Sequence, residues 1–105
     1  MKKILCIASL CSNLFSQVSY TNQIQPIFNT NCTSCHVGGG AATLDLTSYD
    51  GVMSGGVSGL SIISGDNESS ELYIRIILPE GVEGSMPPND PLSQEEINLI
   101  GDWIN

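Results

Sequence analysis

The sequence predicts an all-α fold of about four helices, and three observations carry that prediction. Apolar residues recur at helical spacing in four separate stretches, no apolar–polar alternation runs long enough to build a sheet, and capping residues, glycines and prolines punctuate the chain between them. No internal repeat is present.

The first stretch covers about residues 23–31. Asn22 can cap it, Gln25 stands where a capping box takes Glu or Gln, and Pro26 comes early enough to cost little. Ile24, Ile27 and Phe28 fall at i, i+3 and i+4 and form one apolar face. Gly38-Gly39-Gly40 then stops regular structure, either as a plain flexible loop or as backbone free to lie close against a flat group. Thr47 or Ser48 begins a short helix through Tyr49 to Met53, which Gly55-Gly56 ends. Residues 58–66 read as loop, with Ile62 and Ile63 as inward anchors.

A third helix is expected over about 70–78, capped by Ser69 and stopped by Pro79, with Leu72, Tyr73, Ile76 and Ile77 as its apolar stripe. The turn-rich stretch 80–91 contains Met86-Pro87-Pro88. The last helix has the clearest start: Ser93 with Glu96 makes a capping box, and acidic residues occupy the positive end of the helix dipole. Ile97, Ile100 and Ile104 mark its face, with Trp103 beside them.

At 105 residues there is room for one domain, and residues 1–16 read as a secretory leader outside it. Met1-Lys2-Lys3 is basic, Ile4 to Cys11 is apolar but too short to span a bilayer, and Ser12 to Gln17 turns polar. Cleavage after Ser16 leaves a domain of residues 17–105, although Leu14 is bulky for that offset. An ordinary N-terminal helix would need a polar face that this stretch lacks, and lipidation at Cys11 would need a smaller residue than Leu10 before it. Later apolar runs are all shorter than a membrane span. The expected location is therefore outside the cytoplasm, in a bacterial periplasm.

Net charge sharpens once the leader is set aside. The whole chain carries −8, but Lys2 and Lys3 leave with the leader, and Arg75 is then the only base against eleven acids, a net charge of −10. Nucleic acid and anionic lipid are therefore poor candidates for partners. The surplus either keeps an exported domain soluble or docks it on a basic protein partner. Tyr20, Phe28, Tyr49, Tyr73 and Trp103 are the only aromatics left, which makes a thin core that a large apolar cofactor would complete.

Such a cofactor is named by Cys32-Thr33-Ser34-Cys35-His36. Two thiols three positions apart, followed at once by an imidazole, are the attachment signature of c-type haem: two thioethers to the ring and one nitrogen to the iron. Rival readings of the pair are weaker. A thiol–disulfide exchange site follows a β-strand, and none precedes Cys32. A zinc site needs a second pair of soft ligands, and a disulfide closing so small a ring would constrain the unfolded chain little. His36 is the only histidine, and no lysine remains in residues 17–105, so the second axial ligand falls to a methionine. Met86, in a proline-stiffened loop, is preferred to Met53, which sits on a helical stretch where core packing is the usual role.

With these residues in hand the chain resembles the small class I single-haem cytochrome c domains, and among them the planctomycete type. The resemblance runs through Ile24-Gln25-Pro26-Ile27-Phe28, Asn31-Cys32, Leu44-Asp45-Leu46, Tyr49, Gly51, Ser64-Gly65-Asp66, Ser70, Leu72, Met86-Pro87-Pro88 and Leu92-Ser93 to Trp103-Ile104. It implies a cytochrome c-like fold packed around one covalent haem c, with thioethers at Cys32 and Cys35, His36 as proximal ligand and Met86 as distal ligand. Two positions depart from the pattern: Val37 stands where glycine is frequent, and the final helix stops at Asn105, short of the usual length.

His/Met ligation favours ferrous iron relative to two nitrogens and leaves no vacant position, so outer-sphere electron transfer to a redox partner is the expected role, without catalysis. The alternatives are a haem enzyme or ligand-binding sensor with a displaceable sixth ligand, and a module in which haem mainly organises the fold. Arg75 either pairs with a haem propionate or pairs loosely with Glu71 one turn back. N-terminal sequencing of the exported protein is expected to begin at Gln17; a start at a lipid-modified Cys11 would convert the leader into a lipoprotein signal, and a start at Met1 would return the segment to the domain.

Overall fold

A computed structural model of the protein describes residues 17–38, 40–88 and 90–105. The leader, with Cys6 and Cys11, and Gly39 lie outside the described residues. Ser19, rather than Asn22, starts the first helical segment: its hydroxyl accepts from the Asn22 amide at 3.2 Å, and a π-helical turn runs over Tyr20–Ile24. Pro26 has no N–H to return to the Asn22 carbonyl, and the wide turn instead closes from the Gln25 amide to the Tyr20 carbonyl. Helix α1 follows over Gln25–Asn31 and buries Ile27 and Phe28. Gln25 makes no capping box; its carboxamide donates to the Leu46 carbonyl at 2.8 Å and accepts from the Tyr20 hydroxyl.

Helix α2, Tyr49–Ser54, begins where Ser48 accepts from the Gly51 amide at 3.0 Å and stops at Gly55. Thr47 turns away to Asp45, donating both its amide and its hydroxyl to Oδ1, which lowers the Asp45 carboxyl below its ordinary value.

Helix α3 is shorter than expected, Glu71–Ile76. A 3₁₀ turn, Asn67–Ser69, precedes it, capped by Asp66, which accepts from the Ser69 amide at 3.2 Å. Ser69 is thus not the cap. Ser70 occupies the cap position with its hydroxyl turned inward, accepting from the Ile63 amide at 2.8 Å and donating to the Asp66 carbonyl at 2.8 Å. Six residues bury only one i, i+4 pair, Leu72 and Ile76, while Tyr73 is half-buried and Ile77, past the helix end, is 50% exposed. Of the two expected loop anchors only Ile62 is buried; Ile63 is 40% exposed, and its amide donates to Ser70 Oγ at 2.8 Å.

Helix α4, Gln94–Ile104, carries the expected capping box: the Glu96 amide donates to Ser93 Oγ at 3.1 Å and the Ser93 amide donates to Glu96 Oε1 at 3.0 Å. Ile97, Ile100 and Ile104 are buried and meet Ile24, Phe28, Leu46, Val52, Leu72 and Leu92 in one core. Trp103 packs on Tyr20 at a centroid distance of 5.1 Å, which brings α4 onto the first helical segment. Burial, aided by Tyr49, pushes the Tyr20 phenol up to about 12. Among the described residues the only β-type pairing is an isolated bridge between Gly56 and Gly59, so the fold is all-α.

Ser70 is fully buried, and removing its hydroxyl would strand the Ile63 amide. Ser70→Ala is expected to destabilise the protein by about 1–3 kcal/mol in denaturant titration. Ser69→Ala should stay within about 0.5 kcal/mol of the parent.

Candidate functional site

The chain leaves α1 through a tight turn that gathers the attachment motif. The Cys32 carbonyl accepts from the amides of Cys35 at 3.1 Å and His36 at 2.9 Å, and the Cys35 carbonyl then accepts from Ala41 at 2.9 Å. Gly40 makes this closure possible, since a Cβ there would lie 2.5 Å from the Cys35 carbonyl oxygen and 2.7 Å from that of Val37. Gly40 therefore tightens the turn, whereas a side chain at Gly38 would meet nothing closer than Asp45 Oδ2 at 3.7 Å.

The neighbouring cavity has a volume of about 330 Å³. Cys32, Cys35, His36 and Met86 all line it, together with Phe28, Leu44, Leu46, Leu60, Leu72, Ile76 and Leu92. Met53 is half-buried on α2 against the core and is not in the wall. The sequence motif and the distant Met86-Pro87-Pro88 loop thus meet at one apolar space, the Met86–Pro87 peptide being cis.

The His36 ring nitrogen Nδ1 lies 3.1 Å from the Ala41 carbonyl. A carbonyl only accepts, so Nδ1 carries the proton and donates, and the lone pair of the neutral ring is left on Nε2, the atom free to bind a metal. Nothing in the sequence marks Ala41 for this role, because any residue supplies the same carbonyl.

Cys32 and Cys35 are not joined in a disulfide. Burial pushes the Cys32 thiol up to about 11, with the charges of Glu96 and Cys35 adding to the rise. A thiol–disulfide exchange site needs the opposite, a lowered value that exposes thiolate at neutral pH. Arg75 and Glu71 also reach the wall, paired with each other through Arg75 Nε and Glu71 Oε2 at 2.8 Å, as the second of the two Arg75 alternatives has it. Both side chains are well exposed, so the pair stabilises by no more than about 0.5 kcal/mol.

An apolar cleft with two thiols, a pre-set imidazole nitrogen and a thioether suits a flat iron-centred macrocycle attached through sulfur. A family model of planctomycete cytochrome c matches residues 32–90, more than half of the chain. The chain belongs to that family. Neither the curated proteins nor the solved structures searched contain a match to it. As a cytochrome c domain it carries covalently bound haem c, and no helix among the described residues is long and apolar enough to cross a membrane.

Gly40→Ala in the cytochrome is expected to push the attachment turn open and lower the yield of haem-loaded protein several-fold, read as haem absorbance per polypeptide.

Proposed function

We propose that this chain is an exported electron carrier, residues 17–105 after loss of the leader, with a single haem bound through Cys32 and Cys35 and ligated by His36 and Met86. The observation that carries the reading is the convergence on one cavity wall of the three side chains of the attachment motif and of Met86, which is distant from them in sequence. The bound group would supply a one-electron couple at its iron.

Each residue then has a defined task. Cys32 and Cys35 fix the ring. His36, oriented by the Ala41 carbonyl, offers Nε2, and the hydrogen bond at Nδ1 raises its basicity. Met86 offers a soft sulfur that favours the lower iron charge and so raises the potential. With His36 and Met86 both holding the iron, no place would be left on it for a substrate, and electrons would cross without a bond being made or broken. Leu60 and Val57, strongly exposed at the rim, would leave an apolar edge for a partner, and the surplus of carboxylates would steer a basic partner face toward it.

After acid–acetone extraction the colour is expected to stay on the polypeptide, and Cys35→Ala should greatly reduce the holoprotein; colour that extracts would sink the reading. In Met86→Ala the weak far-red absorption of sulfur-ligated ferric haem should vanish and the potential should fall, while Met53→Ala leaves both nearly intact. The reverse pattern would transfer the ligand role to Met53.

A further inference from the structure

The loop bearing Met86 is tied to the end of α3 at three points. The Met86 amide donates to the Arg75 carbonyl at 3.1 Å, the Ser85 hydroxyl donates to the Leu78 carbonyl at 3.4 Å, and Arg75 Nη1 donates to the Gly84 carbonyl at 3.2 Å. Arg75 therefore holds the loop twice, by its main chain at Met86 and by its side chain two residues earlier. Its carbonyl is free to do so because the last carbonyls of a helix have no partner within it. The guanidinium is aimed by Glu71, which accepts from Nε at 2.8 Å, and the planar fork lets Nε and Nη1 serve two acceptors at once. Gly84 lies at φ 93°, and a Cβ there would come within 3.3 Å of Nη1, so the loop is shaped to admit the guanidinium. No other Lys or Arg exists in residues 17–105 to replace it.

We propose that Arg75 is the positioning residue of the Met86 loop: oriented by Glu71, it grips the Gly84 carbonyl and so keeps Met86 at the cavity wall. The consequence for the iron rests on Met86 being its ligand; the grip on the loop does not. The ion pair with Glu71 is too exposed to account for the arrangement by its own stability, which leaves orientation of the fork as its role.

The test uses the holoprotein and two readouts, amide hydrogen exchange of peptides spanning 82–86 and the temperature at which the far-red sulfur–iron absorption is lost. Arg75→Gln is expected to speed exchange there by on the order of tenfold, with α4 unchanged, and to lower the temperature of band loss. Arg75→Lys should fail to restore either, because an ammonium lacks the fork, whereas Glu71→Gln keeps an acceptor for Nε and should resemble the parent. Exchange within twofold of the parent in Arg75→Gln, or equal loosening in Glu71→Gln, would overturn the proposal. So would a lowered potential with unchanged exchange, which would assign the guanidinium to the acid groups of the cofactor. If the parent lacks the far-red band while the exchange pattern holds, the ligand reading fails and the loop clamp stands.

Discussion

The turn from Cys32 to His36 is the constraint on which the rest of the structure depends. Five residues must bring two sulfurs and an imidazole to the same cavity, and two amides sharing the Cys32 carbonyl hold them there. The bonds that follow extend the turn outward: Ala41 returns to the Cys35 carbonyl, and the Leu46 amide donates to the His36 carbonyl at 2.9 Å. The backbone that passes Ala41 on this path is what receives the His36 ring, so ligand orientation and loop closure are one arrangement.

The core and the cavity share their walls. Phe28, Leu46, Leu72, Ile76 and Leu92 belong to the buried cluster and also face the cavity, so an apolar group bound there extends the core itself. In a chain with so few aromatics this explains how helices of six or seven residues, too short to persist alone, are held in place. Tyr20, Tyr49 and Trp103 form an aromatic cluster, with Tyr20 and Tyr49 edge-on at 5.2 Å, Tyr20 and Trp103 packed against the core, and the Tyr20 hydroxyl bound to Gln25. Gln25 in turn reaches the Leu46 carbonyl, so the aromatic layer is tied to the segment that lines the cavity.

Charge is distributed without such economy. Eleven acids face a single base in residues 17–105, and that base is occupied on the protein by Glu71 and Gly84. At physiological ionic strength the field of exposed carboxylates decays within about 8 Å. Its effect is therefore felt in the approach of a charged partner rather than in the stability of the fold.

The sequence by itself determined what depends on near neighbours. The attachment motif lies within five residues, the caps at Ser48 and at Ser93 with Glu96 reach three residues ahead, and the buried faces of α1 and α4 follow the helical repeat. These are i to i+4 relations, legible from spacing alone. Tertiary structure decided what requires a backbone group from elsewhere. Ser70 looked like the first residue of a helix, yet its hydroxyl serves the amide of Ile63, seven residues back. Spacing offered Arg75 a pair with Glu71, and the fold adds the Gly84 carbonyl; the His36 tautomer is set by a carbonyl that any residue at position 41 would provide. Backbone carbonyls and amides carry no sequence label, so which of them meets a given side chain is known only once the chain has folded.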